Sequence, residues 1–292
     1  SEASSSSAYR FEFVVASYNV HRAVGGDRRK QPLRIAETIA ALDADLIALQ
    51  EVETPADVAP RLFLQRLYEF GYEVVFGHTM LLGPHHYGNL LLSRLPVLCE
   101  QRLDISQPGR EPRGLIDVEV AWRPSAVASA GAGTNAGRDA GAPVAHAALA
   151  KTSQGRLGEI GDSGETGTVA LRCLATHLGL SAAERRRQIA AILAHLGEAE
   201  RATSARIPLI LMGDVNEWWP RNGRLALLNR RLHAAPALAS FPSRWPLLAL
   251  DRLWYSSALE RIETEVVRTK ATRAASDHLP LRARFRLQLG GT

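Results

Sequence analysis

Cysteine is nearly absent from this chain, whose 292 residues include only Cys99 and Cys173. Two thiols cannot build a disulfide framework or a thiolate metal cluster, and their apolar neighbours mark both as reduced core residues. Lysine is almost as scarce, occurring at positions 30, 151 and 270, so the formal net charge of +5 is carried by arginine. A surplus this small and scattered is compatible with a phosphate-bearing substrate but does not amount to a nucleic-acid-binding tract. Long hydrophobic runs are also missing. Pieces such as Ile207 to Met212 fall far short of the ~18 to 20 residues of a membrane helix. No apolar segment follows the serines at the start, so a secretion signal is not recognisable and a cytoplasmic location is expected.

Hydrophobic residues make up 46% and charged residues 22%, an ordinary globular composition that argues against a mostly disordered or fibrous chain. Residues 124–168 stand apart, rich in Ala, Gly, Ser and Thr and without periodicity. They read as a disordered insertion between two neighbouring strands, Leu115 to Trp122 and Val169 to Thr176. The expected organisation is a flexible start (1–10), a single domain (11–287) carrying that insertion, and a short tail (288–292). A monomer is expected.

Short apolar or alternating runs of strand length recur at Phe11 to Tyr18, Leu46 to Leu49, Tyr72 to Phe76, Leu90 to Ser93, Ile207 to Met212, Arg252 to Tyr255 and Leu281 to Arg286. Between them, Pro32 opens a helical pattern of Ile35, Ile39 and Leu42. Ser181 to Glu184 has the form of a capping box, followed by an apolar stripe from Ile189 to Leu196 and a stop at Gly197. Arg185, Arg186 and Arg187 then read mainly as a solvated helix face, with one of them able to reach a substrate phosphate. Many strands with fewer helices predict a layered α/β architecture.

Six times a polar cluster sits beside an apolar run: Asn19-Val20-His21, Gln50-Glu51, Thr176-His177, Gly213-Asp214-Val215-Asn216, Asp251 and Ser276-Asp277-His278. Packing alone does not explain the recurrence. Strands lying side by side would gather these groups around one crevice at the sheet rim. Carboxylates and amide oxygens without thiolates suit a hard ion, magnesium with manganese as its substitute, and zinc is disfavoured because the histidines lack HExxH-type spacing. A histidine backed by an aspartate can activate water while cationic groups stabilise charge on phosphate oxygens. Together these point to phosphoester hydrolysis.

Taken in order, Tyr18-Asn19-Val20-His21, Leu49-Gln50-Glu51, Tyr87-Gly88-Asn89-Leu90-Leu91-Leu92-Ser93-Arg94, Thr176-His177-Leu178, Gly213-Asp214-Val215-Asn216, Leu250-Asp251-Arg252-Leu253 and Ser276-Asp277-His278-Leu279-Pro280 resemble the endonuclease/exonuclease/phosphatase superfamily over nearly the whole chain. Each motif alone is weak, but their shared order is specific. The resemblance implies a four-layer α/β sandwich of two packed, mostly antiparallel β-sheets flanked by helices. It implies that Glu51, with Asn19 and Asp277, holds Mg2+ (or Mn2+). His278, oriented by Asp251, would activate water; Asp214 and Asn216 would position the nucleophile or the transferring phosphoryl group; and His177 would donate to a phosphate oxygen. Tyr87 and Asn89 would line the pocket, and Arg113 is a candidate phosphate contact. Apurinic-site endonucleases of this superfamily carry an acid where this chain has His21, which speaks against that repair role.

The substrate stays open among nucleic acid, a phospholipid headgroup and a small phosphoester. A catalytically silent phosphate- or protein-binding module on the same fold is the rival reading. His78, His85 and His86 read either as pocket residues or as part of a polar loop. Trp218, Trp219 and Trp245 read as an apolar wall or a base-stacking surface.

Overall fold

Along the first strand, β1 (Glu12–Asn19), alternate side chains are buried on opposite faces: Phe13 and Val15 on one, Ala16 and Tyr18 on the other. A strand covered on both sides must lie inside a layered stack. The computed structural model of the protein describes residues 12–55, 62–122, 169–202, 207–219 and 225–287. The expectations for residues 1–10, 124–168 and 288–292 lie outside the described residues.

A single 3-10 turn (His21–Ala23) and α1 (Pro32–Leu42) follow β1. Next come β2 (Leu46–Pro55), α2 (Leu62–Glu69), β3 (Glu73–Leu82), β4 (His85–Ser93), β5 (Val97–Asp104) and β6 (Gly114–Trp122). The second half runs β7 (Val169–His177), α3 (Ala182–Ala202), β8 (Leu209–Asp214), α4 (Ala226–Asn229), β9 (His233–Ala234), β10 (Asp251–Tyr255), β11 (Leu259–Val266), α5 (Lys270–Ala275) and β12 (Leu281–Leu287). They form two mixed six-stranded sheets, ordered β11-β12-β1-β2-β4-β3 and β5-β6-β7-β8-β10-β9. Among the described residues only the β1–β2 and β7–β8 pairs are parallel.

The sheets pack face to face through Phe13, Val15, Leu46 and Ala48 from the first and Ile116, Val118, Ile210 and Met212 from the second. Outside the first sheet, Ile35, Ile39 and Leu42 of α1 cover Ala16, Tyr18, Ile47 and Leu49. Outside the second, Ile189, Ile192 and Leu196 of α3 cover Leu174, Leu209 and Leu211. Each such buried aliphatic side chain contributes about 1.5–3 kcal/mol relative to exposure. The result is the expected α/β sandwich, with β6 and β7 adjacent and antiparallel on either side of residues 123–168.

Several local expectations need correction. α3 does not stop at Gly197 but runs on to Ala202, since one glycine costs a helix only about 1 kcal/mol and the helix is held by its apolar stripe. Ser181 Oγ accepts the Glu184 N–H at 3.2 Å, but the Glu184 carboxylate takes Gln188 Nε2 at 3.2 Å instead of closing the box. Cys173 is buried, whereas Cys99, on β5 near the open edge of its sheet, is exposed. His78, His85 and His86 lie in β3 and β4, not in a loop, with the rings of His78 and His86 stacked 4.4 Å apart.

Candidate active site

Strand ends from both sheets meet at one rim of the sandwich. Midway along β2 the pairing with β4 slips between Leu49 and Val52, and Glu51 adopts φ 57°. Such a bulge re-aims a side chain, here turning Glu51 into a cleft while Gln50 stays buried. Asn19, at the end of β1, gives one amide hydrogen to Glu51 Oε1 and the other to Asp214 Oδ2, each at 3.0 Å. Both partners are acceptors only, which fixes the orientation of the amide. Its oxygen accepts the His21 N–H at 3.0 Å, so Asn19 is fully engaged behind the cleft.

Asp214 ends β8, where Gly213 lets β7 and β8 approach so closely that a Cβ on it would sit 1.9 Å from the Thr176 carbonyl oxygen. Asp214 Oδ2 lies 3.7 Å from both His177 Nε2 and His278 Nε2. His278 Nδ1 bonds Asp251 Oδ2 at 2.8 Å, and Ser240 Oγ donates to the same oxygen at 2.5 Å. The Nδ1 proton therefore belongs on the Asp251 side, and Nε2 faces Asp214. The Phe241 ring packs 4.8 Å from the His278 ring. Burial would lower the His278 pKa, but the charge and hydrogen bond of Asp251, with Asp214 and Asp277 behind them, raise it to about 10.

His177 goes the other way. Burial, reinforced by Arg113 and His278 and opposed by Asp214, lowers its pKa to about 3. Asn216, held at φ 50°, a backbone region that asparagine tolerates well, donates Nδ2 to the Leu178 carbonyl at 2.9 Å and to His177 Nε2 at 3.0 Å. In the neutral ring the proton then sits on Nδ1.

The cleft has a volume of about 440 Å³, and its walls include Glu51, Tyr87, Arg113, His177, Asp214, Asn216, Asp277 and His278. Asn19 and Asp251 stand one layer behind. Asn89 is not among the lining residues; it is buried and donates Nδ2 to the Gly114 carbonyl at 3.3 Å, joining β4 to β6. Arg113 is buried and paired with Glu111. Burial, together with the charges of Glu51 and Glu111, raises the Tyr87 pKa. Trp218 lines the cleft, while Trp219 and Trp245 stand in solvent.

Among the described residues no three His, Cys, Asp or Glu side chains gather into a metal cage. Glu51 and Asp277 nevertheless share the cleft, and a hard ion that completes its shell with water and substrate oxygens needs only one or two carboxylates. The donor set fits magnesium or manganese on that basis.

Reading the sequence did not single out Ser240, Phe241, Glu111, Met80, Leu82 or Leu180, which come from loops and a hairpin with no motif of their own. It also placed Arg185 on a solvated face. Arg186 and Arg187 are exposed, but Arg185 is buried, donating to Gly179 O and Leu180 O and, at 3.2 Å, to Glu217 Oε2. His21, where apurinic-site endonucleases carry an acid, sits with its Nδ1 3.6 Å from Asp277 Oδ1, in a turn whose three residues all have positive φ.

A sequence profile described as the Endonuclease/Exonuclease/phosphatase family matches residues 16–278. The chain belongs to this family. It is 25% identical over 296 residues to the uncharacterised protein YbhP of Escherichia coli strain K12, covering 95% of this chain and 98% of YbhP. Among solved structures, an endonuclease/exonuclease/phosphatase from Beutenbergia cavernae superposes with a TM-score of 0.66 at 22% identity, covering 95% of this chain and 72% of that one. The human Nocturnin catalytic domain with bound sulfate gives 0.65 at 18% identity, covering 95% and 94%. At these identities the structures establish the shared fold.

Proposed function

We propose that this chain is a divalent-cation-dependent phosphoester hydrolase in which His278, oriented by Asp251, takes the proton from an attacking water. The carrying observation is the chain Ser240–Asp251–His278, which fixes the imidazole with Nε2 toward Asp214 and the cleft. Asp251 makes the ring a stronger base than free imidazole, and a cation held by Glu51 and Asp277 would offset the carboxylate charge that keeps the ring protonated, favouring the neutral form that accepts the proton. Family membership supports the reaction class, since such proteins are generally phosphoester hydrolases and typically depend on a divalent metal.

Glu51 and Asp277 would hold Mg2+ or Mn2+, with Asn19 orienting Glu51. When bound, the ion would supply positive charge to the phosphate oxygens and the leaving oxygen. Asp214 accepts from and orients the attacking water, and Asn216 keeps His177 in register. His177, neutral, would donate to a phosphate oxygen, while Arg113, next to it at the start of the neighbouring strand, and Tyr87 hold the phosphate.

The test is turnover of a soluble nitrophenyl phosphodiester and a phosphomonoester after chelation and after adding back Mg2+ or Mn2+. Activity should vanish on chelation and return with the ion, and His278→Ala should lower it by about 100-fold or more. Turnover indifferent to chelation, or unchanged in His278→Ala, overturns the mechanism. Silence on both esters with either ion favours the binding module.

A further inference from the structure

Four segments border the cleft, and each carries a large apolar side chain in solvent. The β3–β4 hairpin supplies Leu82, and the turn after β7 supplies Leu180, which is 67% exposed. Trp218 and Trp219 follow β8, and the loop 241–248 carries Trp245, 67% exposed, and Leu247, 79% exposed. Leu82, Leu180 and Trp218 belong to the cleft wall. The loop is fastened to the same rim by the Ser243 N–H to Asp277 carbonyl bond, 2.6 Å, and by Phe241 against His278. Large apolar side chains gathered on one rim are the mark of a surface that something covers.

Beside this rim the surface turns basic. Arg22, Arg28, Arg29, Arg244, Arg268 and Arg273 are all exposed. Their segments touch: Gly25 packs against the carbonyl of Ala274, and Ser243 Oγ donates to the Arg273 carbonyl at 3.4 Å. Elsewhere surface arginines face carboxylates, as exposed Arg66 faces Glu37 and Glu69, and half-buried Arg286 faces Glu12 and Glu260. Among the described residues these six form no ion pair of that kind, and Arg29 lies near the carboxylate of Asp27, which is itself held by Arg34.

We propose that this face docks reversibly on an anionic lipid surface, the cleft mouth turned toward the headgroups. The phosphoester met there would be a lipid headgroup, a point that rests on the hydrolase reading above; the docking does not. Tryptophan and leucine tips beside arginines match the headgroup layer and the acyl boundary beneath it. A nucleic-acid strand fits less well. Its bases stack on aromatic rings, which Leu180 and Leu247 do not provide. A protein partner seated on this rim would seal the cleft, whereas a lipid surface brings the substrate to it.

Flotation of the full chain with vesicles tests the docking, using phosphatidylcholine alone and phosphatidylcholine mixed with phosphatidylglycerol. The chain should float with the mixed vesicles and be released as salt rises. Trp245→Ser with Leu247→Ser should lower partitioning by about tenfold or more at an unchanged melting temperature, since both side chains stand in solvent. Arg244→Glu with Arg273→Glu should abolish the preference for the mixed vesicles. The mixed vesicles should also slow wild-type turnover of the soluble phosphodiester by shielding the cleft.

No flotation, flotation unchanged in both variants, or turnover unaffected by vesicles that do bind overturns the proposal. A gel shift with an oligonucleotide that the arginine variant abolishes, in a chain that ignores vesicles, assigns the face to nucleic acid instead. An active chain that does not float refutes the docking alone, and an inactive chain that floats refutes the hydrolase reading alone.

Discussion

Asn19 and Asp214 stand on different sheets, yet Asn19 Nδ2 lies 3.0 Å from Asp214 Oδ2, so one amide stitches the two halves of the sandwich together at the cleft. The same nitrogen holds Glu51, and without it two carboxylates would lose their shared donor. Hydrogen bonds to charged groups contribute about 1.5–3 kcal/mol each. Asn19→Ala should therefore melt several degrees below wild type, and Mg2+ should raise the melting temperature less in the variant than in wild type, because Glu51 has lost the donor that orients it. Thermal melts followed by circular dichroism, with and without the ion, check this; equal melting temperatures would show that the stitch contributes nothing.

The two histidines flanking Asp214 predict a two-sided pH dependence in the metal-free chain. His177 has a folded pKa of about 3 against an ordinary 6.5, so the unfolded chain binds a proton that the folded one refuses, and stability falls as pH drops from 6.5 toward 3. His278 has a folded pKa of about 10, so its contribution is complete below 6.5 and drains away as pH rises toward 10. His177→Gln should flatten the acid limb of a stability–pH curve and His278→Gln the alkaline limb. Denaturant titrations across the range measure both; an alkaline limb that survives His278→Gln assigns it to another group.

What the sequence made legible follows from what carries a signal in one dimension. Phe13, Val15, Ala16 and Tyr18 alternate, so β1 announced itself, and the order of the polar clusters placed Glu51, Asp214 and His278 in one cleft. β11, from Leu259 to Val266, went unread because it lies at a sheet edge, where its exposed Glu260 and Glu263 break the apolar pattern. The Glu51 bulge was equally silent, because it depends on slippage against β4. Ser240 and Phe241 carry no motif and join the site only because the loop folds back over His278. Arg185 misled because the same residue type serves solvent at Arg186 and a buried carboxylate one position earlier.

Gly213 separates backbone fit from chemistry. A Cβ there would meet the Thr176 carbonyl at 1.9 Å, and strand backbone cannot swing aside as a flexible side chain can. Gly213→Ala should cost about 1–3 kcal/mol or more by forcing β7 from β8. Because His177 and Asp214 sit at the ends of those two strands, their register should suffer with it, and turnover should fall at temperatures well below the melt. Urea unfolding alongside the phosphodiester assay reads both effects, and a variant of wild-type stability would refute the close approach.

Arg185 and Glu217 form the buried brace beneath the cleft. Arg185 holds the Gly179 and Leu180 carbonyls, and Glu217 accepts the Trp219 N–H at 3.0 Å, so the pair clamps the segment after His177 to the segment after Asn216. Removing one partner of a buried ion pair strands the other charge and costs about 3–5 kcal/mol, whereas replacing both with apolar groups is often neutral. Arg185→Met and Glu217→Leu should each destabilise strongly, and the double variant should recover most of the loss in a urea titration. Its turnover should stay low despite that recovery, because apolar side chains fill the volume but cannot hold the two carbonyls that set the turn after His177. Full activity in the recovered double variant would reduce the brace to a matter of stability alone.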